Sequence, residues 1–161
     1  MVAGQEIEEY QVKAAYLYNF AKFVDWPAAA FASPTTPLSI CILGEDPFGG
    51  GLHEVVRGKT AGGRILAVRS LSDISGARGC HVLFISAVEW KANRPVLGRL
   101  AGSGVLTVGE APGFTTGGGI VNFKLEGRRV RFEINVDAAR QAQLQISSKL
   151  LSLAEIVRPS E

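Results

Sequence analysis

The octad Gly44-Glu45-Asp46-Pro47-Phe48-Gly49-Gly50-Gly51 follows an apolar run and precedes a helix-forming one, where a phosphate-binding loop would lie. Such a loop needs either Gly-Lys followed by Ser or Thr, or spaced glycines with no acid at the turn. Glu45 and Asp46 would repel a phosphate, so a plain turn is favoured. Ser147-Ser148-Lys149 sets a hydroxyl beside an amine, the ingredients of a serine nucleophile and its base. On a helix, however, adjacent residues diverge by about 100° and do not face each other. His53 and His81 have no Ser or Asp set to work with, and together with Cys41 and Cys80 they do not complete a four-ligand zinc site. Neither cysteine belongs to a Cys-x-x-Cys pair, and on spacing alone a disulfide and two buried thiols both remain open. Gly117-Gly118-Gly119 could admit a ligand close to the backbone, but a turn or bulge needs the same residues and is favoured. No catalytic residue, cofactor site or metal ligand is assigned, and an enzyme is not expected.

Composition narrows the partners. At 161 residues the chain can bury a sizeable core as one domain, expected to span 1–161 with residues 1–6 disordered. The 17 basic and 15 acidic residues leave a formal net charge of +2, too even for nucleic acid or an anionic membrane. Arg128, Arg129 and Arg131 cluster in a hairpin, where a solvated face is favoured. No run of about 18 apolar residues occurs, so membrane insertion is not expected. Met1 to Glu9 does not read as a signal peptide. Met1 is the only methionine, which fits a start placed before an already processed chain as well as a native cytosolic start.

The elements that position these residues alternate. Residues 7–25 read as a helix, free of Gly and Pro and stopped by Pro27. Val12, Tyr16, Phe20 and Phe23 form one apolar stripe, and Tyr10, Leu17, Ala21 and Val24 form a second. Lys13, Asn19, Lys22 and Asp25 leave a narrow polar edge. So wide an apolar surface must be covered on two sides, by the sheet and another element or by a partner protein. Strands are expected at 38–43, 65–68, 82–85 and 105–108, with helices at 48–56 and at 88–100, the latter interrupted at Pro95. This alternation implies an α/β domain: a mainly parallel sheet with helices on both faces, the four strands in the order 2-1-3-4. Residues 120–125 and 130–136 read as an antiparallel hairpin on the sheet edge, and 138–157 as helical in part. Alternation directs Val130, Phe132, Ile134 and Val136 to one face, and Arg131, Glu133 and Asn135 to the other.

The order of these pieces resembles the YfiR family. The most specific matches are Lys13-Ala14-Ala15-Tyr16-Leu17-Tyr18-Asn19-Phe20-Ala21-Lys22-Phe23 with Trp26-Pro27, and Gly117-Gly118-Gly119-Ile120-Val121-Asn122-Phe123. Arg131-Phe132-Glu133-Ile134-Asn135 with Ser148-Lys149-Leu150-Leu151 completes the pattern. The resemblance implies a periplasmic α/β domain, often dimeric, whose native signal peptide is absent from this chain. It implies a repressor that binds the periplasmic region of an inner-membrane diguanylate cyclase, keeping cyclic di-GMP and biofilm formation low. Release through an outer-membrane lipoprotein or through redox change belongs to the same implication. Cys41 and Cys80 match the family's cysteine pair, so the resemblance implies a disulfide between them. Thr115, Thr116 and Asn122 stand where some relatives carry a second pair, which excludes a second bridge.

Two surfaces are the candidate partner contacts: Tyr10, Leu17, Ala21 and Val24 on the first helix, and Arg131, Glu133 and Asn135 on the last hairpin strand. The alternative reading is a small-molecule-binding domain with its pocket at the carboxyl ends of the parallel strands, near Gly44 and Gly109.

Overall fold

The computed structural model describes residues 2–100 and 103–158, and the side chains of 2–7, 95–97 and 99 lie outside that description. The first half contains α1 (Val2–Phe23), β1 (Val24–Asp25), β2 (Leu38–Leu43), α2 (Gly51–Val56), β3 (Thr60–Ala61), β4 (Arg64–Leu71) and β5 (Val82–Ile85). The second half adds α3 (Ala87–Leu100), β6 (Leu106–Gly109), β7 (Val121–Glu126), β8 (Arg129–Asn135) and α4 (Val136–Gln141). Short pieces close the chain: β9 (Gln145–Ile146), α5 (Ser148–Leu151) and β10 (Glu155–Val157).

Eight of these strands form one sheet in the order β10-β8-β7-β6-β5-β2-β4-β3, while β1 and β9 pair separately. The run β4-β2-β5-β6 is parallel throughout and reproduces the expected 2-1-3-4 order. The residues of β2, β5 and β6 are buried along their whole length, as strands covered on both faces must be. On one face Ile40, Ile42, Val82 and Phe84 pack with α1 residues Ala14, Leu17 and Phe20. On the other, Leu43, Leu83 and Ile85 pack with Trp90 and Phe114. Cys41 lies on that second face beside Cys80, and the two form a disulfide with 6.0 Å between Cα atoms. Both cysteines are buried, so the bridge staples β2 to the turn before β5 inside the core.

Several boundaries moved for identifiable reasons. The helix ends at Phe23 because Val24 and Asp25 pair with Ile146 and Gln145. Residues 1–6, expected to be disordered, comprise Met1, outside the described residues, and the first residues of α1, whose side chains are outside them too. α2 begins at Gly51 rather than at residue 48, because Gly49 and Gly50 take left-handed angles and the Asp46 carboxylate accepts the Phe48 N–H. α3 kinks at Asn93, two residues before Pro95, which lacks the N–H a continuous helix requires. Residues 138–157 contain two short helices but also β9 and β10. β10 runs parallel to β8 and covers the outer edge of the hairpin. Its three residues are too few to announce a strand by periodicity.

Phe114 explains two glycines. Its ring is fully buried between Gly109 at the end of β6 and Gly119 at the start of the segment leading into β7, and a Cβ at either position would collide with it. The loop between β6 and β7 is thereby folded back over the sheet.

Candidate functional site

The β7–β8 hairpin carries the most chemically differentiated surface. Its register pairs Asn122 with Glu133, Lys124 with Arg131 and Glu126 with Arg129, with Gly127 at φ 64° in the turn. On one face Phe123, Val130, Phe132 and Ile134 join the α1 core. On the opposite face Asn122 and Glu133 lie under the β6–β7 loop.

That polar face is closely bonded. Glu133 accepts a hydrogen bond from Thr115 Oγ1 at 2.8 Å and a longer one from Asn122 Nδ2 at 3.3 Å, and lies 3.7 Å from Lys124 Nζ. Lys124 also donates to Glu155 of β10 at 3.0 Å. The hydrogen bond and charge of Glu155 hold the Lys124 ammonium above the ordinary lysine range. Asn122 clamps the loop by accepting the Ala111 N–H at 3.0 Å and donating to the Ala111 carbonyl at 2.9 Å. Asn135 donates to the Thr115 carbonyl and accepts the Ala138 N–H, capping α4.

A second polar knot ties α1 to this loop. Lys13 donates to Glu110 at 2.9 Å and pairs with Glu9 one turn away, and the Tyr10 hydroxyl donates to Glu110. Lys13 is 3% exposed, so the ammonium expected on a polar edge is instead a buried charge neutralised by two carboxylates. Around the knot lies a cavity of about 540 Å³ lined by Lys13, Glu110, Pro112, Phe123, Lys124 and Glu133. Neither Gly109 nor Gly44, the two positions between which the alternative reading put a pocket, lines it: Gly109 is packed under Phe114 and Gly44 against Glu89.

The candidate contact residues separate cleanly. Arg131 is exposed, and Glu133 is half-buried within a bonded network rather than buried alone. Asn135 is buried and engaged in capping, so it offers no free surface. Tyr10 is half-buried, its ring edge-on to Phe48 at 5.6 Å. Leu17, Ala21 and Val24 are buried in the α1 core, which corrects the expectation that this stripe faces a partner. The sheet and α2 cover α1 from two sides, so the choice left open by its wide apolar surface resolves to the core for these three. Val12 did the reverse: placed on the core stripe by periodicity, it is 43% exposed. Glu110 and Lys124 were not singled out in the sequence. Asn122 could have been, as a polar residue between Val121 and Phe123.

His81 sits apart, immediately before β5 and between the starts of β2 and β6. Its Nδ1 accepts the Ser39 N–H at 3.0 Å and its Nε2 donates to the Ala30 carbonyl at 2.9 Å, with Phe31 stacked on the ring. Burial pushes its pKa below the ordinary histidine value. With both nitrogens engaged inside the fold, this is a structural histidine. Among the described residues no group of three or more His, Cys, Asp or Glu could hold a metal ion, and no helix is long and apolar enough to cross a membrane.

A family model described as YfiR/HmsC-like matches residues 10–155. Among solved structures, the ABC domain in complex with L-Trp from Streptococcus pneumoniae is similar, with a TM-score of 0.50 at 10% identity. The match covers 74% of this chain and 55% of that one, so the chain spans about half of the structure it resembles. At that identity the likeness concerns the α/β fold alone.

Proposed function

The chain belongs to the YfiR/HmsC-like family, and from that premise we propose that it is a periplasmic regulatory protein that represses an inner-membrane diguanylate cyclase. It binds the cyclase's periplasmic region and so lowers cyclic di-GMP and biofilm formation. The family match over residues 10–155 carries this reading. The buried disulfide supports an oxidising compartment, since such bridges are rare in the cytosol. The mechanism is a population shift. The protein binds the inactive form of the sensor region more tightly than the active form, and only that difference in affinity represses.

The contact is assigned to the exposed rim of the polar hairpin face, Arg131 with Glu133 and Lys124. The whole chain acts as one domain, self-associates as a homodimer and is released by an outer-membrane lipoprotein. Purified full-length protein should bind the periplasmic region of a candidate cyclase in calorimetry, and Arg131→Glu should weaken that binding at least tenfold while leaving the melting temperature unchanged. Failure to bind any cyclase region by the well-folded wild type would remove the assignment. Light scattering checks the dimer.

A second reading, a small-molecule-binding domain, is favoured by the cavity of about 540 Å³ around Lys13 and Glu110, which mixes ammonium, carboxylate and aromatic groups. L-Trp, the molecule bound by the similar solved domain, is the first probe. A thermal shift with L-Trp that Glu110→Gln abolishes supports this reading, and no shift with L-Trp or other amino acids counts against it.

A further inference from the structure

Opposite Glu133, across the same hairpin, α1 and the strand pair enclose a groove of about 620 Å³. Its apolar lining consists of Val12, Tyr16, Leu125, Val130 and Leu153. Val12, Leu125 and Leu153 are 43%, 53% and 59% exposed, so three large apolar side chains stand in water around one depression. Scattered exposed apolar residues need no explanation, but a contiguous set around a concavity marks a binding surface. The floor is rigid as well. Tyr16 packs against Phe20, Phe123 and Phe132 with ring centroids 6.1, 6.1 and 5.2 Å away, which limits the entropy lost on binding.

Charge defines what can fill the groove. Arg128, Arg129 and Arg131 line its hairpin side and are exposed. None of them takes part in an ion pair among the described residues, whereas Lys124 is held by Glu133 and Glu155. Of the two acids on the α1 side, Glu9 is already paired with Lys13, leaving Glu8 alone against three guanidinium groups. Guanidinium forks recognise carboxylates in bidentate fashion. An uncharged or basic occupant would leave the arginines unmatched. An anionic bilayer is disfavoured because the carboxylates of Glu8 and Glu9 line the same groove.

We propose that this groove is a second docking surface, adjoining the Glu133 face with Arg131 at the border between the two, and that its occupant is a short segment of a partner protein in which apolar side chains are followed by carboxylates. The apolar residues fill the space between Val12, Leu125 and Leu153, and the carboxylates meet Arg128 and Arg129. The proposal rests on the reading of this chain as a regulatory binding protein, but not on the cyclase being the partner.

The test uses the full chain and three fluorescent octapeptides: apolar-acidic, apolar-basic and acidic without apolar residues. The apolar-acidic peptide should bind at least tenfold more tightly than the other two, with NMR shifts concentrated at Val12, Leu125 and Leu153. Arg128→Glu with Arg129→Glu should reduce that binding at least tenfold, and so should Leu153→Ser, with unchanged circular dichroism. Equal binding of all three peptides, no binding of the apolar-acidic one, or shifts elsewhere overturns the proposal. Capture on phosphatidylglycerol vesicles without peptide binding overturns it in favour of a lipid surface. A dimer that Leu125→Asp converts to monomer, again without peptide binding, overturns it in favour of a second copy. Cyclase-region binding is measured in parallel. Its loss with peptide binding intact counts against the proposed function alone, and the converse counts against the groove alone.

Discussion

Glu133→Lys probes the polar bridge beneath the β6–β7 loop. The carboxylate is 14% exposed and holds Thr115 at 2.8 Å, Asn122 at 3.3 Å and Lys124 at 3.7 Å. A lysine at this position offers no acceptor to Thr115 or Asn122 and turns attraction to Lys124 into repulsion. The charge-assisted bond to Thr115 contributes about 1.5 kcal/mol and the longer Asn122 contact less than about 1 kcal/mol. Lys124 is 37% exposed, so after solvent screening the ion pair adds no more than about 0.5 kcal/mol. The variant should therefore lose about 2–3 kcal/mol, a fall in Tm of roughly 4–10 °C for a chain of this size. From the sequence, where Glu133 reads as an outward-facing charge, the same substitution would leave folding nearly intact; the three partners account for the difference. Glu133→Gln keeps an acceptor oxygen and should lose less than about 1 kcal/mol. Urea titration of both variants measures the loss. A lysine variant within about 0.5 kcal/mol of wild type would refute the network. If the glutamine variant, folded as wild type, binds the cyclase region with unchanged affinity, the charge of Glu133 plays no part in the contact.

The Cys41–Cys80 bridge closes a loop with a sequence separation of 39, which by the loop-entropy argument contributes about 4 kcal/mol. Cys41→Ala with Cys80→Ala should lower urea stability accordingly, and a loss under about 1 kcal/mol would contradict it. His81 has its pKa lowered in the fold by burial, while the unfolded chain takes up a proton below about pH 6.5. The unfolded state then binds more protons, so stability is full above that pH and declines on acidification, by at most about 1.4 kcal/mol per pH unit. Denaturation midpoints at pH 7.5 and 5.5 test the sign, and a flat or rising profile on acidification would refute it. Gly119→Ala drives a methyl into the Phe114 ring and should cost about 1–3 kcal/mol in a thermal melt, whereas Gly118→Ala meets open space but a strained φ of 108°.

The strands of the parallel sheet were legible because each is a short apolar run bounded by turn residues. Leu38–Leu43 and Val82–Ile85 lie where the pattern put them. Their order followed from chirality and connection length. β3, β9 and β10 were not legible, since two or three residues carry no period. The polar site was half legible. Alternation correctly set Arg131 and Glu133 opposite Phe132 and Ile134, but nothing local tells that Thr115 and Asn122 fold back onto Glu133. Periodicity also gave α1 two apolar stripes without telling which neighbour covers each, and so placed Val12 in the core and left Leu17 open between the core and a partner contact. The arginine cluster is exposed, as a solvated face should be, but its apolar neighbours come from α1 and from Leu153, distant in sequence, and so were not legible.

The most direct test of the central claim is the cyclic di-GMP content of cells carrying an inner-membrane diguanylate cyclase whose periplasmic region binds this protein. Export of the full chain to the periplasm should lower cyclic di-GMP several-fold, and the same chain retained in the cytosol, or paired with a cyclase lacking its periplasmic region, should leave it unchanged. Undiminished cyclic di-GMP with the folded, oxidised protein present in the periplasm would contradict repression.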